Sequence, residues 1–267
     1  MNLKNDPTIF HITHRKSGSQ WVRQVLQECA PERFIKPEKD AEHFYKKRIL
    51  PGMIYPALYI SRRQFYTVLN PWEINTPINS LVLPIHYLNW FRFALLRKPY
   101  RTFIVIRDLR DTLISLYFSL KHSHPILNEG MSETRGNLNQ ISKEEGLLYL
   151  ISADINYYHN LQLSWIKDET LLMRYEDLIA DEVAGFQKII DYCEINIDEE
   201  NLRQIIERNS FQVRSGRPQG NEDVTSHYRK GIAGDWCHHF SDRITEEFKM
   251  KFGKTLIQTG YEKDLDW

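Results

Sequence analysis

The stretch HRKSGSQW, residues 14–21, places cations directly before small residues: His14, Arg15 and Lys16 precede Ser-Gly-Ser. Small residues let an anion approach backbone N–H groups at the start of a helix, and a lysine adds the positive charge that a phosphate needs. A glycine turn with surface cations has the same composition. The stretch alone therefore leaves a phosphate site and an ordinary turn as alternatives.

The stretch differs from the Walker A motif of P-loop kinases, which ends in Gly-Lys-Ser/Thr with a hydroxyl on magnesium. Here Lys16 comes before Gly18, and no such triplet completes this loop. A phosphate loop without that hydroxyl favours transfer of a group other than phosphoryl, and the sequence predicts no metal.

Two further groups of residues are suited to a second phosphate. Arg107 ends the apolar run RTFIVI, and Ser115 lies eight residues later in a helical pattern. An arginine fork and a hydroxyl at those places would bind phosphate, although an Arg–Asp pair that caps the helix is an equally good interpretation. The triplet RKG at 229–231 adds two cations, which by themselves indicate only a solvated surface.

The elements that must position these residues alternate along the chain. Strands are predicted at 8–13, 101–108 and about 170–177, and the segments between them have helical spacing. This alternation predicts an α/β fold, a single domain over 1–267 with a central parallel sheet and helices on both faces. Because ligands bind beyond the carboxyl ends of such strands, we expect HRKSGSQW, Arg107 and Tyr175 to gather there.

Other segments lack a clear period. Residues 31–80, with many aromatics, and the polar stretches 123–140 and 211–236 are expected to be irregular. The helix at 19–29 is expected to begin with Ser19 as its cap, and a last helix is expected at about 241–259.

The amino-acid composition limits the kinds of partner that the protein is expected to bind. The 267 residues carry 35 Lys plus Arg and 35 Asp plus Glu, so no overall field favours nucleic acid. Three widely spaced cysteines predict neither disulfides nor a zinc site, and favour a cytoplasmic setting. We see no signal peptide and no run long enough to span a membrane.

The motifs K-S-G-x-x-W, R-D-x-R-D-x-x-x-S, Y-E-D-L and R-K-G-x-x-G-D-W occur in this order between about residues 8 and 240. In this combination the sequence resembles the cytosolic-type sulfotransferase family. The resemblance implies a P-loop-like phosphosulfate loop after the first strand. It also implies 3′-phosphoadenosine 5′-phosphosulfate (PAPS) as sulfo donor, with 3′,5′-ADP (PAP) as product.

The same resemblance assigns roles to individual residues. The 5′-phosphate loop would comprise Lys16, Ser17, Gly18, Ser19, Gln20 and Trp21. The 3′-phosphate would be bound by Arg107, Ser115, Arg229, Lys230 and Gly231. The adenosine would be bordered by Tyr175, Ser210 and Phe211, with Trp21 stacked on the adenine.

The resemblance further implies catalysis by His86 as base on an acceptor hydroxyl, with Lys16 near the bridging oxygen. Many members carry a lysine two positions before that histidine, where this chain has Pro84. A non-catalytic nucleotide-binding protein therefore stays an alternative, and a P-loop kinase a weaker one. The expected acceptor is a small, apolar, hydroxylated molecule. The family's dimer motif is not matched, so no oligomeric state is predicted.

Overall fold

The computed structural model describes residues 6–70, 83–166 and 170–267. Its sheet has four parallel strands in the order β2-β1-β3-β4, which confirms the predicted parallel sheet. β1 and β3 pair over six successive positions, from Thr8 opposite Tyr100 to Thr13 opposite Val105. The strands are β1 (Thr8–Thr13), β2 (Ile54–Leu58), β3 (Tyr100–Ile106) and β4 (Leu171–Arg174).

Helices connect the strands and follow them. They are α1 (Ser19–Cys29), α2 (Glu42–Tyr45), α3 (Arg62–Leu69), α4 (Leu83–Trp90), α5 (Leu109–Phe118), α6 (Glu129–Gln140), α7 (Lys143–Ala153), α8 (Ile155–Trp165), α9 (Tyr175–Ala180), α10 (Glu182–Tyr192), α11 (Glu199–Asn209), α12 (Phe211–Ser215) and α13 (Asp242–Gln258). Two π-helical turns extend α4 and α5, at Phe91–Leu95 and Ser119–Ser123.

The chain divides into two compact units, and the first comprises residues 1–106 and 164–206. It contains the sheet. Successive side chains of a strand point to opposite faces, and both faces of β1 are covered. Ile9 packs in one core with Val22 of α1 and Phe186 of α10. Phe10 contacts the rings of Phe44 and Phe65, at centroid distances of 5.8 and 5.1 Å.

The second unit comprises residues 107–163 and 207–267. Its core lies between α5, α7 and α13 and is made mostly of leucine, isoleucine and phenylalanine side chains. At one side of this core the Arg110 guanidinium lies 4.0 Å from the ring centre of Trp236 and 4.4 Å from that of Trp267. Its charge is matched by Asp108 at 2.7 Å and Glu262 at 2.5 Å, which makes burial of an arginine tolerable.

The predicted bounds of α1 and of the last helix agree with the structure to within a residue or two. The predicted cap of α1 was wrong. Gly18 is the cap, with φ of 80°, and no side chain caps the helix. Ser19 is instead the first residue of α1, because the left-handed conformation that starts this helix is one that glycine adopts without strain.

The expectation that residues 31–80 are irregular was wrong for the part up to residue 70. That part contains β2, α2 and α3, and α3 begins with a capping box formed by Ser61 and Gln64. Residues 71–80 lie outside the described residues, as do 81 and 82. The rest of the apolar run 81–86 is the first turn of α4.

The expectation for 123–140 was also wrong, since most of that stretch is α6. The helix is capped by Asn128, whose side chain accepts a hydrogen bond from the Met131 N–H. Residues 211–236 are largely irregular, as predicted, except for α12 and the start of a 3₁₀ turn at Asp235–His238.

Candidate functional site

The loop between β1 and α1 is held by its own buried side chains. The Ser17 hydroxyl lies 2.6 Å from that of Thr13 and donates to the His14 carbonyl at 2.8 Å. Thr13 also reaches the Val105 carbonyl on β3, at 3.2 Å. Because the Ser17 side chain is fully buried in these contacts, its backbone N–H is the group it can offer to a ligand.

Two residues of this loop have a left-handed backbone, Lys16 with φ of 70° and Gly18 with φ of 80°. The conformation costs a lysine about 1–2 kcal/mol, and such strain is typical of functional loops. At Gly18 a side chain is excluded in any case, since a Cβ would lie 2.8 Å from the ring of Tyr175. Tyr175 is the first residue of α9, directly after β4. The structure thus brings the predicted loop and Tyr175 together.

The first turn of α1 carries Trp21 and Ser19. Trp21 packs edge-on against Phe186, with ring centres 4.9 Å apart, and its indole nitrogen has no hydrogen-bond partner among the described residues. Ser19 Oγ lies 3.0 Å from the hydroxyl of Tyr59. Tyr59 follows β2, the strand that the sequence did not predict, and so it was missed as a residue of this loop. Gln20 is exposed beside them.

In the second unit, Arg107 is buried directly after β3. Its Nη2 donates to the carbonyl of Ile232 at 3.1 Å and lies 3.7 Å from Asp111. Its own carbonyl accepts a hydrogen bond from the Gln162 amide at 2.8 Å. Ser115 lies half-buried on α5, two turns further along. The predicted Arg107 is thereby fixed against the segment that contains Arg229, Lys230 and Gly231.

One buried carboxylate holds the two cations of that segment. Asp235 accepts from Arg229 and from Lys230, both at 2.5 Å, and lies 3.3 Å from His239 Nε2. Burial opposes ionisation of Asp235, but the hydrogen bonds from His239, Lys230 and Arg229 outweigh it and hold its pKa well below the usual range. Asp235 therefore stays charged and fixes both cations. Arg229 also contacts the Glu222 carboxylate.

The neighbouring turn requires a glycine. Gly231 has φ of 70°, and a Cβ there would lie 2.4 Å from the ring of Phe211. Phe211 is the first residue of α12, and the Ser210 hydroxyl caps that helix by accepting from the Val213 N–H at 3.4 Å. The predicted Gly231 and Phe211 are therefore in contact, and Ser210 directs the start of the helix that carries Phe211.

His86 lies inside α4, with 4% of its surface exposed. Its Nε2 is 3.3 Å from the Tyr45 carbonyl. A carbonyl only accepts, so Nε2 carries the proton and Nδ1 has the lone pair. Nδ1 is buried without a partner among the described residues. Burial lowers the pKa of His86, and the hydrogen bond to Tyr45 offsets this in part, so the ring is neutral near pH 7.

The described residues include no cluster of three or more His, Cys, Asp or Glu side chains arranged to hold a metal ion. Among those same residues, no helix combines the length and the apolar character needed to cross a membrane. The chain does contain Gly-Lys-Thr at 253–255, but this triplet lies within α13 and forms no loop.

A loop of small residues and a lysine, set between the first parallel strand and a helix, is an arrangement that many α/β proteins use to bind phosphate. A family model described as Sulfotransferase domain matches residues 6–260. The chain belongs to this family and is a sulfotransferase.

Mammalian sulfotransferases are similar to this chain over most of its length, with nearly a quarter of the aligned residues identical. It is 23% identical to Sulfotransferase 1 family member D1 of Rattus norvegicus over 274 residues, which covers 94% of this chain and 84% of that protein. It is also 23% identical to Sulfotransferase 1E1 of Homo sapiens over 265 residues, covering 92% and 83%.

Among solved structures, the fold is similar to that of mouse sulfotransferase SULT7A1 complexed with PAP. The TM-score is 0.62 at 18% identity, and the match covers 98% of this chain and 91% of that one.

Proposed function

We propose that the protein transfers the sulfo group of PAPS to the hydroxyl of a small, apolar acceptor. The observation that carries this proposal is the loop from Lys16 to Trp21. It joins a buried strand to a helix, has left-handed backbone at Lys16 and Gly18, and keeps the Ser17 side chain turned into the protein.

The loop has the parts that a 5′-phosphosulfate requires. The first N–H groups of α1 have no partners within the helix, and its dipole favours an anion by about 0.3–1 kcal/mol. Lys16 supplies the full positive charge that this small contribution lacks. In this proposal the residues that surround the 5′-phosphate are Lys16, Ser17, Gly18, Ser19, Gln20 and Trp21.

The second unit supplies cations for a 3′-phosphate. Arg107 is fixed by a backbone carbonyl, and Arg229 and Lys230 are fixed by Asp235. Preorganised cations bind an anion with less loss of side-chain entropy than mobile ones. We assign the 3′-phosphate to Arg107, Ser115, Arg229, Lys230 and Gly231. We assign the adenosine to Trp21, Tyr175, Ser210 and Phe211.

In the proposed chemistry, the acceptor oxygen bonds to sulfur as the bond from sulfur to the bridging phosphate oxygen breaks. His86 takes the hydroxyl proton, for which its neutral ring and the lone pair on Nδ1 are suited. Lys16 stabilises the negative charge that develops on the leaving phosphate. We expect His86→Asn to lower turnover by about 10²–10⁴-fold with little change in PAP affinity. Near-normal turnover would exclude His86 as base.

Calorimetric titration with PAP tests the donor site. We expect Lys16→Ala to weaken PAP binding strongly, because it removes a charge from the phosphate. Lys36→Ala, an exposed lysine in the same unit, is the matched control and should bind PAP as the wild type does. We also expect EDTA to leave the affinity unchanged. Equal affinity of the Lys16→Ala and wild-type proteins would contradict this role of the loop.

A second candidate function is nucleotide binding without turnover. Two observations favour it. Pro84 stands where many sulfotransferases carry a lysine, and Nε2 of His86 is already hydrogen-bonded to the Tyr45 carbonyl. Such a protein would bind PAP and still release none from PAPS in the presence of any phenol or alcohol.

A further inference from the structure

Tyr59 contacts the proposed donor loop from the end of a strand that carries no sulfotransferase motif. It directly follows β2, which lies beside β1 in the sheet. Its hydroxyl lies 3.0 Å from Ser19 Oγ, on the first residue of α1. Ser19 is 6% exposed, so this contact is largely shielded from solvent.

A bulge in β2 turns Tyr59 toward α1. Tyr55 lies opposite Phe10 and Leu58 opposite Ile12, so two residues of β2 oppose the single residue between Phe10 and Ile12. An extra residue reverses the face on which every later side chain lies. Without it, regular alternation would place Tyr59 on the face of Phe10, away from α1.

The bulge is anchored by a side chain of β1. Ala57 has a left-handed backbone with φ of 55°, and its N–H donates to His11 Nδ1 at 3.2 Å. His11 is fully buried and stacks on Phe103, with ring centres 4.8 Å apart. The strained backbone of Ala57 is held in place by a buried acceptor. Such strain indicates that the bulge serves to set the direction of the residues that follow it.

We propose that Tyr59 is a positioning residue of the donor site, and that its hydroxyl donates to Ser19 Oγ and so directs the Ser19 O–H to the 5′-phosphate. This inference rests on the proposed function. Ionised phosphate oxygens only accept hydrogen bonds, so Ser19 must donate its one proton to them. Its oxygen is then left to accept from Tyr59.

The test is a double-mutant cycle on PAP affinity with Tyr59→Phe, Ser19→Ala and the double variant. We expect each single change to weaken PAP binding by about threefold to tenfold, which is the range for one lost hydrogen bond. The double variant should be no weaker than Ser19→Ala alone, because the two residues act through one contact. If Tyr59 acted through packing alone, the factors by which the two single changes weaken PAP binding would multiply in the double variant.

Tyr55→Phe is the matched control. Tyr55 lies on β2, the strand that Tyr59 follows, and its substitution also loses one hydroxyl contact, the hydrogen bond from the Leu50 N–H at 2.8 Å. It should lower the Tm and leave PAP affinity unchanged. The inference is overturned if Tyr59→Phe binds PAP like the wild type, or if its loss multiplies with that of Ser19→Ala. If Lys16→Ala also binds PAP normally, the proposed donor loop itself is wrong.

Discussion

Asp111 Oδ2 accepts a hydrogen bond from the backbone N–H of Gly234 at 2.7 Å. The other carboxylate oxygen accepts from the Trp236 N–H at 3.0 Å, and the side chain is 1% exposed. Two sequence motifs that lie more than a hundred residues apart are thus joined by one carboxylate. Arg107, two residues before α5, lies 3.7 Å from Asp111 and donates to the Ile232 carbonyl, so α5 and the Arg229–Gly231 segment are held as one body.

We expect Asp111→Asn to lower the free energy of unfolding by about 1.5–3 kcal/mol, because an amide has one oxygen for two buried N–H groups. PAP affinity should fall with it, since the cations of the segment lose their support. Denaturant unfolding and calorimetry measure both. Asp181→Asn, which changes an exposed cap of α10 in the other unit, should alter the free energy of unfolding little, because Asn caps a helix about as well as Asp, and should leave PAP affinity unchanged. Equal behaviour of the two variants would contradict the argument.

Gly231→Ala is expected to reduce PAP affinity, whereas Gly216→Ala is not. Both glycines have φ of 70°, so both substitutions carry the backbone cost of about 1 kcal/mol or more. Only at Gly231 does a Cβ meet an obstacle, the Phe211 ring at 2.4 Å; at Gly216 the space is open. Calorimetry with PAP separates the two. The assignment of Phe211 to the nucleotide site fails if both variants bind alike.

Glu222→Gln is expected to strengthen PAP binding by about twofold to fivefold. The Glu222 carboxylate contacts the Arg229 guanidinium, and a 3′-phosphate must compete with it. The pair is partly exposed, so the gain corresponds to the modest energy of such a pair and should shrink in high salt. Glu199→Gln removes the same charge from an exposed pair with Arg203 and should not alter the affinity. Weaker binding by Glu222→Gln would show that Glu222 supports the site.

Acid stability should depend on His11. Burial lowers the pKa of His11 from 6.5 to about 3. The pKa of His11 is lower in the folded than in the unfolded state. Its contribution to the free energy of unfolding is therefore complete above about pH 6.5 and is lost as the pH falls towards 3. One such proton changes the free energy of unfolding by about 1.4 kcal/mol per pH unit.

His11→Gln keeps an acceptor for the Ala57 N–H and removes the titrating ring. Denaturant unfolding at several pH values between 4 and 7 should therefore show a slope that is smaller by up to one proton. His43, His86 and His159, whose pKa values burial also lowers, account for part of what remains. An unchanged slope would mean that His11 does not titrate on unfolding.

The parts of the fold that the sequence predicts are those with a strong local pattern. β1 is rich in β-branched and aromatic residues, and α1 has one apolar face, so both appear at the expected residues. β2 was missed because Pro56 and the bulge at Ala57 break the alternation. α6 was missed because Gly130 and polar residues lower its intrinsic helix propensity.

The site residues were predicted from family motifs. The contacts between these residues could not be predicted in that way. Asp235 holds Arg229 and Lys230 from six and five residues away, but within an irregular segment that has no period from which the contact could be predicted. The contact of Asp111 with Gly234 depends on how two segments 123 residues apart fold together. Tyr59 could not be found either, since its position depends on a bulge that no motif marks.

Sulfo transfer is tested most directly by incubating the protein with PAPS and a panel of phenols and alcohols. The PAP released and the acceptor that gains the mass of one sulfo group are measured together. We expect wild-type protein to form both in equal amounts with at least one apolar acceptor, and Lys16→Ala to form neither at a comparable rate. Intact PAPS with every acceptor, in a protein that binds PAP, would contradict sulfo transfer and favour nucleotide binding alone.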